Sequence, residues 1–494
     1  MSVPFHRVLV NPDEASLLRT LEEASRAAGY ASDARGGFRR WRPVLDEVAA
    51  YAEGRSQLQH RMAGSSTPYL VVAWWSDHRR DKHVGVFSGS DAGGPQLHYS
   101  RLDHDPRPPL WHLYPERLFL VRRPGRPAEW RAACACGAVG RPEELGWMGP
   151  CCGPCHDRAL EGEPVRGAHR PGVLIPTGGG IVSLAFSPSR PTLAVSSEGR
   201  ALNLIDLDGS KTPLRDGSGD GEHQEFRPMG FSPNGQFLVV ADPHGPVLRV
   251  WQEGMPEEEH RVDLFDAPMG LAFSPDSSSM AVCLEDMSVY LFFREEGFWH
   301  EEGYLEFGAS SLCFSPDGRA LARGCLGGVV KIWGLFSSTE TLEIDTGTGD
   351  DQEVVFLHYV RGGTALLLLT GPEDGMDLPV IPVSEPGRNQ NGGHLRLWDL
   401  KHNREERRAD VPLPSSLALT PDGRALAMVV HDERRSPAEV VFWDVEAWQE
   451  AGRLEWNPDA DVRCLAFSPD GQTLAMGAGD GSVVLAPWRL LLEG

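Results

Sequence analysis

From Ile181 onward, short apolar runs alternate with small polar turns at a near-constant interval, whereas the first 130 residues keep no such beat. An apolar strand closing on a Ser-Pro or Thr-Pro turn recurs at Phe186-Ser187-Pro188, Phe231-Ser232-Pro233, Phe273-Ser274-Pro275-Asp276, Phe314-Ser315-Pro316-Asp317-Gly318, Leu419-Thr420-Pro421-Asp422-Gly423 and Phe467-Ser468-Pro469-Asp470-Gly471. A degenerate copy at Phe356-Leu357-His358 replaces the turn with Arg361-Gly362-Gly363. Successive anchors lie 45, 42, 41, 42, 63 and 48 residues apart. Such a period predicts stacked four-stranded units, each unable to bury its apolar faces alone.

Each unit repeats one internal order. The turn proline presets φ and the turn glycine accepts positive φ. The strand after it, such as Phe237-Leu238-Val239-Val240 or Ala425-Leu426-Ala427-Met428, is apolar throughout, as expected when both faces are buried. A third strand ends on an aromatic residue, often with aspartate: Val250-Trp251, Ile332-Trp333-Gly334, Leu397-Trp398-Asp399, Phe442-Trp443-Asp444. Ile205-Asp206, Phe292-Phe293 and Pro487-Trp488 take that place in the other units. A more polar outer strand follows, as in Arg261-Val262-Asp263-Leu264, Tyr304-Leu305-Glu306-Phe307 and Arg453-Leu454-Glu455-Trp456.

The aromatic-Ser-Pro-Asp-Gly turn and the Trp-Asp ending, seven times in register over residues 171–494, resemble WD-repeat β-propellers. The resemblance implies a mainly β chain with a seven-bladed propeller that binds proteins rather than catalysing a reaction. The Gly-His dipeptide that often opens family repeats is absent, so the buried His-Asp-Ser-Trp hydrogen-bond set of some members cannot be complete. Asp480-Gly481-Ser482 keeps part of it. The chain stops soon after the third strand of the last unit, and Gly172-Val173-Leu174-Ile175 is predicted to supply the missing outer strand and close the ring.

Residues 1–130 read as a smaller α/β region of no recognised family. Asn11-Pro12-Asp13-Glu14 opens a predicted helix ending at Gly29, and a second runs from Pro43 to Glu53. Strands are predicted at Tyr69–Trp75, His83–Phe87 and Arg117–Val121. His78, His83, His98, His104 and His112 share no ligand or triad spacing and read as ordinary surface or turn residues.

Composition sharpens this picture. Gly 55 and Pro 39 without a collagen-like period fit many short strands joined by tight turns. No run of eighteen apolar residues and no basic start followed by an apolar stretch occurs, from which a cytoplasmic location away from membranes is expected. Residues 1–170 hold 23 Lys and Arg against 20 Asp and Glu, and the rest holds 24 against 50, which together give the net charge of −23. A propeller so acidic would repel nucleic acid and anionic membrane and favour a basic protein or peptide. Solubility alone also accounts for the charge.

Five of the nine cysteines crowd between 134 and 155, in Cys134-Ala135-Cys136-Gly137 and Cys151-Cys152-Gly153-Pro154-Cys155-His156. Two close pairs can bring four thiolates onto one tetrahedral ion, so residues 131–170 are read as a structural zinc segment and linker with Cys134, Cys136, Cys152 and Cys155 as ligands. Cys151 is the alternative in the second pair, and His156 can replace one cysteine. A redox pair at Cys152-Gly153-Pro154-Cys155 competes, but no βαβ pattern surrounds it; unbound thiols in a linker are the plainer alternative.

The predicted binding face is built from connections between outer and inner strands and between second and third strands. Its acidic residues are Asp220, Glu222, Glu225; Glu285, Asp286; Asp345, Asp350, Asp351, Glu353; Asp459 and Asp461. The insertion from Gly371 to Gly393, with Glu373, Asp374 and Asp377, projects from the same face. A hydrolase or other enzyme, with its activity at the propeller axis or in residues 1–130, is the alternative function. No nucleophile motif, phosphate loop or paired acid and base stands out in its favour.

Overall fold

The repeated turns generate the repeated architecture. In the computed structural model, which describes residues 6–10, 69–76, 81–90, 94–99, 118–134, 136–142, 144–146, 152–160, 179–198, 201–207, 211–215, 227–242, 245–253, 255–295, 298–305, 309–335, 339–347, 349, 352–372, 392–431, 438–456 and 461–493, the Ser or Thr of each turn works at both ends of its hydroxyl. Ser315 Oγ donates to Asp317 Oδ1 at 2.6 Å and accepts from the Ala320 N–H at 2.9 Å. Ser274 with Asp276, Thr420 with Asp422 and Ser468 with Asp470 repeat the arrangement, and Ser232 does so with Asn234. The turn closes on a residue in the left-handed region, which is glycine at Gly235, Gly318, Gly423 and Gly471 but Ser277 in the third repeat.

The first strands in the chain are β1 (His6–Val10), β2 (Tyr69–Ser76), β3 (Asp81–Ser90) and β4 (Gly94–Tyr99), an antiparallel sheet in sequence order. The helices expected near residues 11–29 and 43–53 lie outside the described residues, as do the side chains of the five histidines. Next come β5 (Leu118–Arg122), β6 (Glu129–Ala133), β7 (Val139–Gly140) and helix α1 (Gly153–Leu160).

Six four-stranded blades follow: β8 (Ile181–Phe186) to β11 (Lys211–Arg215), β12 (Arg227–Phe231) to β15 (Met255–Asp263), β16 (Pro268–Phe273) to β19 (Phe298–Leu305), β20 (Ser311–Phe314) to β23 (Thr339–Asp345), β24 (Gln352–Val360) to β27 (Arg404–Val411), and β28 (Ser416–Leu419) to β31 (Gln449–Glu455). The expected count of seven complete blades needs correction. The last repeat, β32 (Val462–Phe467), β33 (Leu474–Ala478) and β34 (Val483–Ala486), is a three-stranded sheet. Pro487 then caps a short helix, α2 (Trp488–Leu492), so the chain turns away where a fourth strand would begin. The upstream strand at residues 172–175 lies outside the described residues.

The core lies between blades. Second strands Thr192–Ser197, Phe237–Ala241, Ser279–Leu284, Ala365–Pro372 and Ala425–Val430 are buried along their whole length, as their largely apolar character predicts, while the outer strand β27 alternates exposed and covered positions. The ring is shut between first and last repeats. Ile181, Leu184, Leu193 and Val195 share one apolar cluster with Cys464, Ala475, Val483 and Leu485. Arg463 spans the seam, 2.5 Å from Glu198 and 3.2 Å from Asp461. Gly477 is required there, since a Cβ on it would lie 2.5 Å from Ile181 Cγ2.

The strand expected with the N-terminal region has a different neighbour. β5 pairs antiparallel with β31 through Arg122↔Arg453, Val121↔Leu454 and Leu120↔Glu455, and β6 and β7 extend the sixth blade to seven strands. Pairing satisfies an edge that would otherwise present free N–H and C=O groups. Phe119, Val121 and Ala133 are buried in one cluster with Phe442, Leu454, Trp456, Trp488 and Leu491. Trp488 stacks flat on Phe442 at 5.0 Å and donates its Nε1–H to the Gly471 carbonyl at 3.0 Å.

Candidate metal centre and binding face

The cysteine cluster is assembled at the far edge of that extended blade. Strand β6 leads into Cys134, whose N–H donates to the Ala138 carbonyl at 2.8 Å, while the Gly137 N–H donates back to the Cys134 carbonyl at 2.9 Å. Gly137 has φ 91°, which lets this hairpin turn carry Cys136 back over Cys134. The second pair sits on the opening turn of α1. There the Cys155 N–H donates to the Cys152 carbonyl at 3.0 Å, and Gly153 is anchored to the Leu145 carbonyl at 3.0 Å.

The structure brings together the four cysteines chosen from spacing. All four Sγ atoms lie within 4.8 Å of one another, with Cys134, Cys152 and Cys155 buried and Cys136 half-buried. Cys136 Sγ and Cys152 Sγ are 3.6 Å apart, too far for a disulfide and close to the roughly 3.8 Å expected between thiolates around a tetrahedral ion with Zn–S bonds of about 2.3 Å. The donor set therefore fits a soft divalent metal. The Cys152 N–H points at Cys134 Sγ at 3.4 Å, and Arg158 Nη2 lies 3.6 Å from Cys155 Sγ, the donors that bound thiolates require. Burial pushes the Cys152 thiol up, and it pushes Cys155 up to about 11, so without a cation both stay protonated at neutral pH. Cys151 and the His156 side chain, the alternative ligands, lie outside the described residues.

Below the cluster, arginines join the β5–β7 segment together and to the blade. Arg122 pairs with Glu439 and, at 2.5 Å, with Glu455, and Glu439 also receives Arg453 at 2.9 Å. Glu129 is shared by Arg123, Arg131 and Arg141. In the sequence Arg122, Arg123 and Arg126 form a basic run suited to dock onto the acidic propeller, but the partners are not legible there: Glu439 and Glu455 lie more than three hundred residues from Arg122, and Glu129 faces Arg123 across a hairpin.

Because strands alternate direction, the connections entering each inner strand and those joining second to third strands share one face. Among the residues expected there, Glu285 and Asp286 are exposed between β17 (Ser279–Leu284) and β18 (Val289–Glu295), and Asp345 is exposed at the end of β23. Glu353 is half-buried at the start of β24, and Asp461 is held by Arg463. Asp220, Glu222, Glu225, Asp350, Asp351, Glu373, Asp374, Asp377 and Asp459 lie outside the described residues. Other residues on this face escape a charge-based reading. Asp242 pairs with Arg249, and Ser415 Oγ meets His431 Nε2 at 2.9 Å.

The repeats and the ring of blades define a β-propeller. Residues 302–334 and 450–485 match the family model described as WD domain, G-beta repeat. The chain is 33% identical over 284 residues to telomerase protein component 1 of Rattus norvegicus, covering 51% of this chain and 10% of that protein. It is 26% identical over 181 residues to pre-mRNA-processing factor 19 homolog 2 of Arabidopsis thaliana, covering 35% of this chain and 28% of that one. The chain thus spans only a small part of the curated relatives it matches. A chain in the crystal structure of a mitotic checkpoint complex superposes with a TM-score of 0.49 at 18% identity, over 65% of this chain and 95% of that one. Among the described residues no helix is long and apolar enough to cross a membrane.

Proposed function

We propose that the protein is a non-enzymatic interaction scaffold of the cytoplasm, whose acidic propeller face binds a basic protein or peptide segment and excludes nucleic acid and anionic membrane. The observation that carries this reading is the set of exposed carboxylates, Glu285, Asp286 and Asp345, in the connections of one face. Relatives named as a telomerase component and a pre-mRNA-processing factor are in keeping with a part played inside larger assemblies. Neutralising that face with Glu285→Gln, Asp286→Asn and Asp345→Asn should weaken capture of the natural partner and flatten the salt dependence of binding. Unchanged affinity and unchanged salt slope would refute the acidic-face reading.

Cys134, Cys136, Cys152 and Cys155 are assigned to a structural zinc ion. The metal would cross-link the β6–β7 hairpin to the first turn of α1, holding an otherwise short segment in place. One equivalent of zinc per chain, released by a chelator with loss of structure confined to this segment, is the expected result. Protein free of zinc as purified and unaltered by the chelator would overturn the assignment.

A further inference from the structure

Phe265, in the connection from β15 to β16, is 73% exposed, and Tyr304, near the end of β19, is 55% exposed. They are not isolated. Tyr290 on β18 lies between them, with its ring 5.4 Å from Phe265 at 21° and 6.0 Å from Tyr304 at 27°. Three near-parallel rings thus line one edge of the third blade, and Met287, 37% exposed, adds an apolar rim. Single exposed aromatics are ordinary, but a contiguous exposed stack is what interaction surfaces carry.

The border of this stack is acidic. Glu285 and Asp286 stand exposed in the connection just before β18, Glu301 is exposed on β19, and Asp266 adjoins Phe265. Their field reaches the rings: the Tyr290 hydroxyl is pushed above its usual range by its partial burial and then by Glu301 and Asp286. Arg261 on β15 is taken up by Asp263 at 2.7 Å. Asp286 keeps its loop rigid by accepting from the Ser288 N–H at 2.9 Å and hydroxyl at 2.5 Å, which fixes a carboxylate beside the aromatic faces.

We propose that this corner of the third blade docks an arginine-bearing segment of a partner protein, the guanidinium lying on the ring faces with its N–H groups turned to the surrounding carboxylates. Arginine suits the site because it is planar, always charged, stacks on aromatic rings and presents several donors at once. A nucleobase would also stack on the rings, but its phosphates would meet four carboxylates. The inference rests on the reading of the propeller as a protein-binding scaffold, and it narrows the recognised chemistry to one side-chain type and one blade.

Fluorescence anisotropy with the full chain and a labelled peptide of alternating arginine and glycine tests it. The wild type should bind, the citrulline version of the peptide should bind about tenfold more weakly, and Phe265→Ala with Tyr304→Ala should cost about tenfold toward the arginine peptide. Both side chains are exposed, so the melting temperature should hold. If that double variant does not fold, Glu285→Gln with Asp286→Asn should produce a comparable loss. Wild-type affinity in a folded aromatic variant, or equal binding of citrulline and arginine peptides, overturns the proposal and leaves the acidic-face reading standing. Hydrogen exchange at residues 285–290 that slows with protein concentration alone would show a second copy covering the patch, and would overturn it too. Failure of wild type to bind the arginine peptide also overturns it, while the scaffold reading is judged separately by capture of its natural partner.

Discussion

Replacing Arg122 with methionine probes how the β5–β7 segment is held to the propeller. The backbone junction is three residue pairs long, so side chains decide whether it stays closed. Arg122 bridges Glu439 and Glu455, and the Glu455 side chain is only 2% exposed. Breaking a buried ion pair from one side costs about 3–5 kcal/mol, because a carboxylate is left in low dielectric without its countercharge. Part of this is recovered, since Glu439 retains Arg453 and is a fifth exposed. The expected loss is therefore about 3 kcal/mol, and it should appear first as faster amide exchange at Leu120 and Val121. The pH dependence has a definite sign. Burial raises the Glu439 pKa, but the hydrogen bonds with Arg453 and Glu455 and the charges of Arg122 and Arg453 outweigh it and hold the carboxyl below its usual value. A carboxyl depressed on folding contributes its full stability above the unfolded pKa and loses it as pH falls through the folded one. The difference between wild type and Arg122→Met should thus be greatest near neutrality and shrink below about pH 4.5. Adding Glu455→Gln should restore most of the loss by removing the stranded charge. Denaturant unfolding that finds less than about 0.5 kcal/mol at pH 7, or a loss undiminished by Glu455→Gln, would refute the reasoning.

Three further outcomes follow from the turns and the cysteines. Gly318→Ala has room for its methyl group, 3.6 Å from Pro275 Cδ, so its cost should be the left-handed backbone alone, about 1 kcal/mol by denaturant unfolding. Ser315→Ala removes both bonds of its turn and should destabilise by about 1–2 kcal/mol; because the Ser315 hydroxyl is the main cause holding Asp317 below the ordinary carboxylate range, an NMR titration should show that carboxyl moving up. Cys136→Ser should abolish stoichiometric zinc, measured by elemental analysis, while near-ultraviolet circular dichroism retains the propeller tryptophan signal.

Much of the propeller could be read from the chain because its information is local and repeated. The turn hydroxyl, carboxylate and glycine lie within six residues, and apolar second strands announce burial on both faces. The thiol cluster was equally legible, since Gly137 and Gly153 mark the two turns that aim the sulfurs. What escaped depends on contacts across the chain. Leu118–Arg122 looks like any strand, and only the open edge of β31, more than three hundred residues on, explains where it goes. The third strand of the last repeat was expected to end on Pro487-Trp488, yet that strand stops at Ala486 and the proline begins the helix that leaves the sheet. The aromatic stack is made by Phe265, Tyr290 and Tyr304 from three separate elements, so no local spacing reveals it.

A scaffold of this kind receives its basic partner on one face of the propeller. Crosslinking mass spectrometry with a carboxyl-to-amine reagent, on protein captured from its own cells, measures this directly. Partner lysines should be joined to Glu285, Asp286, Asp345 and the 371–393 insertion. Crosslinks confined to residues 1–130, or to the Ser-Pro-Asp-Gly turns of the opposite face, would contradict it.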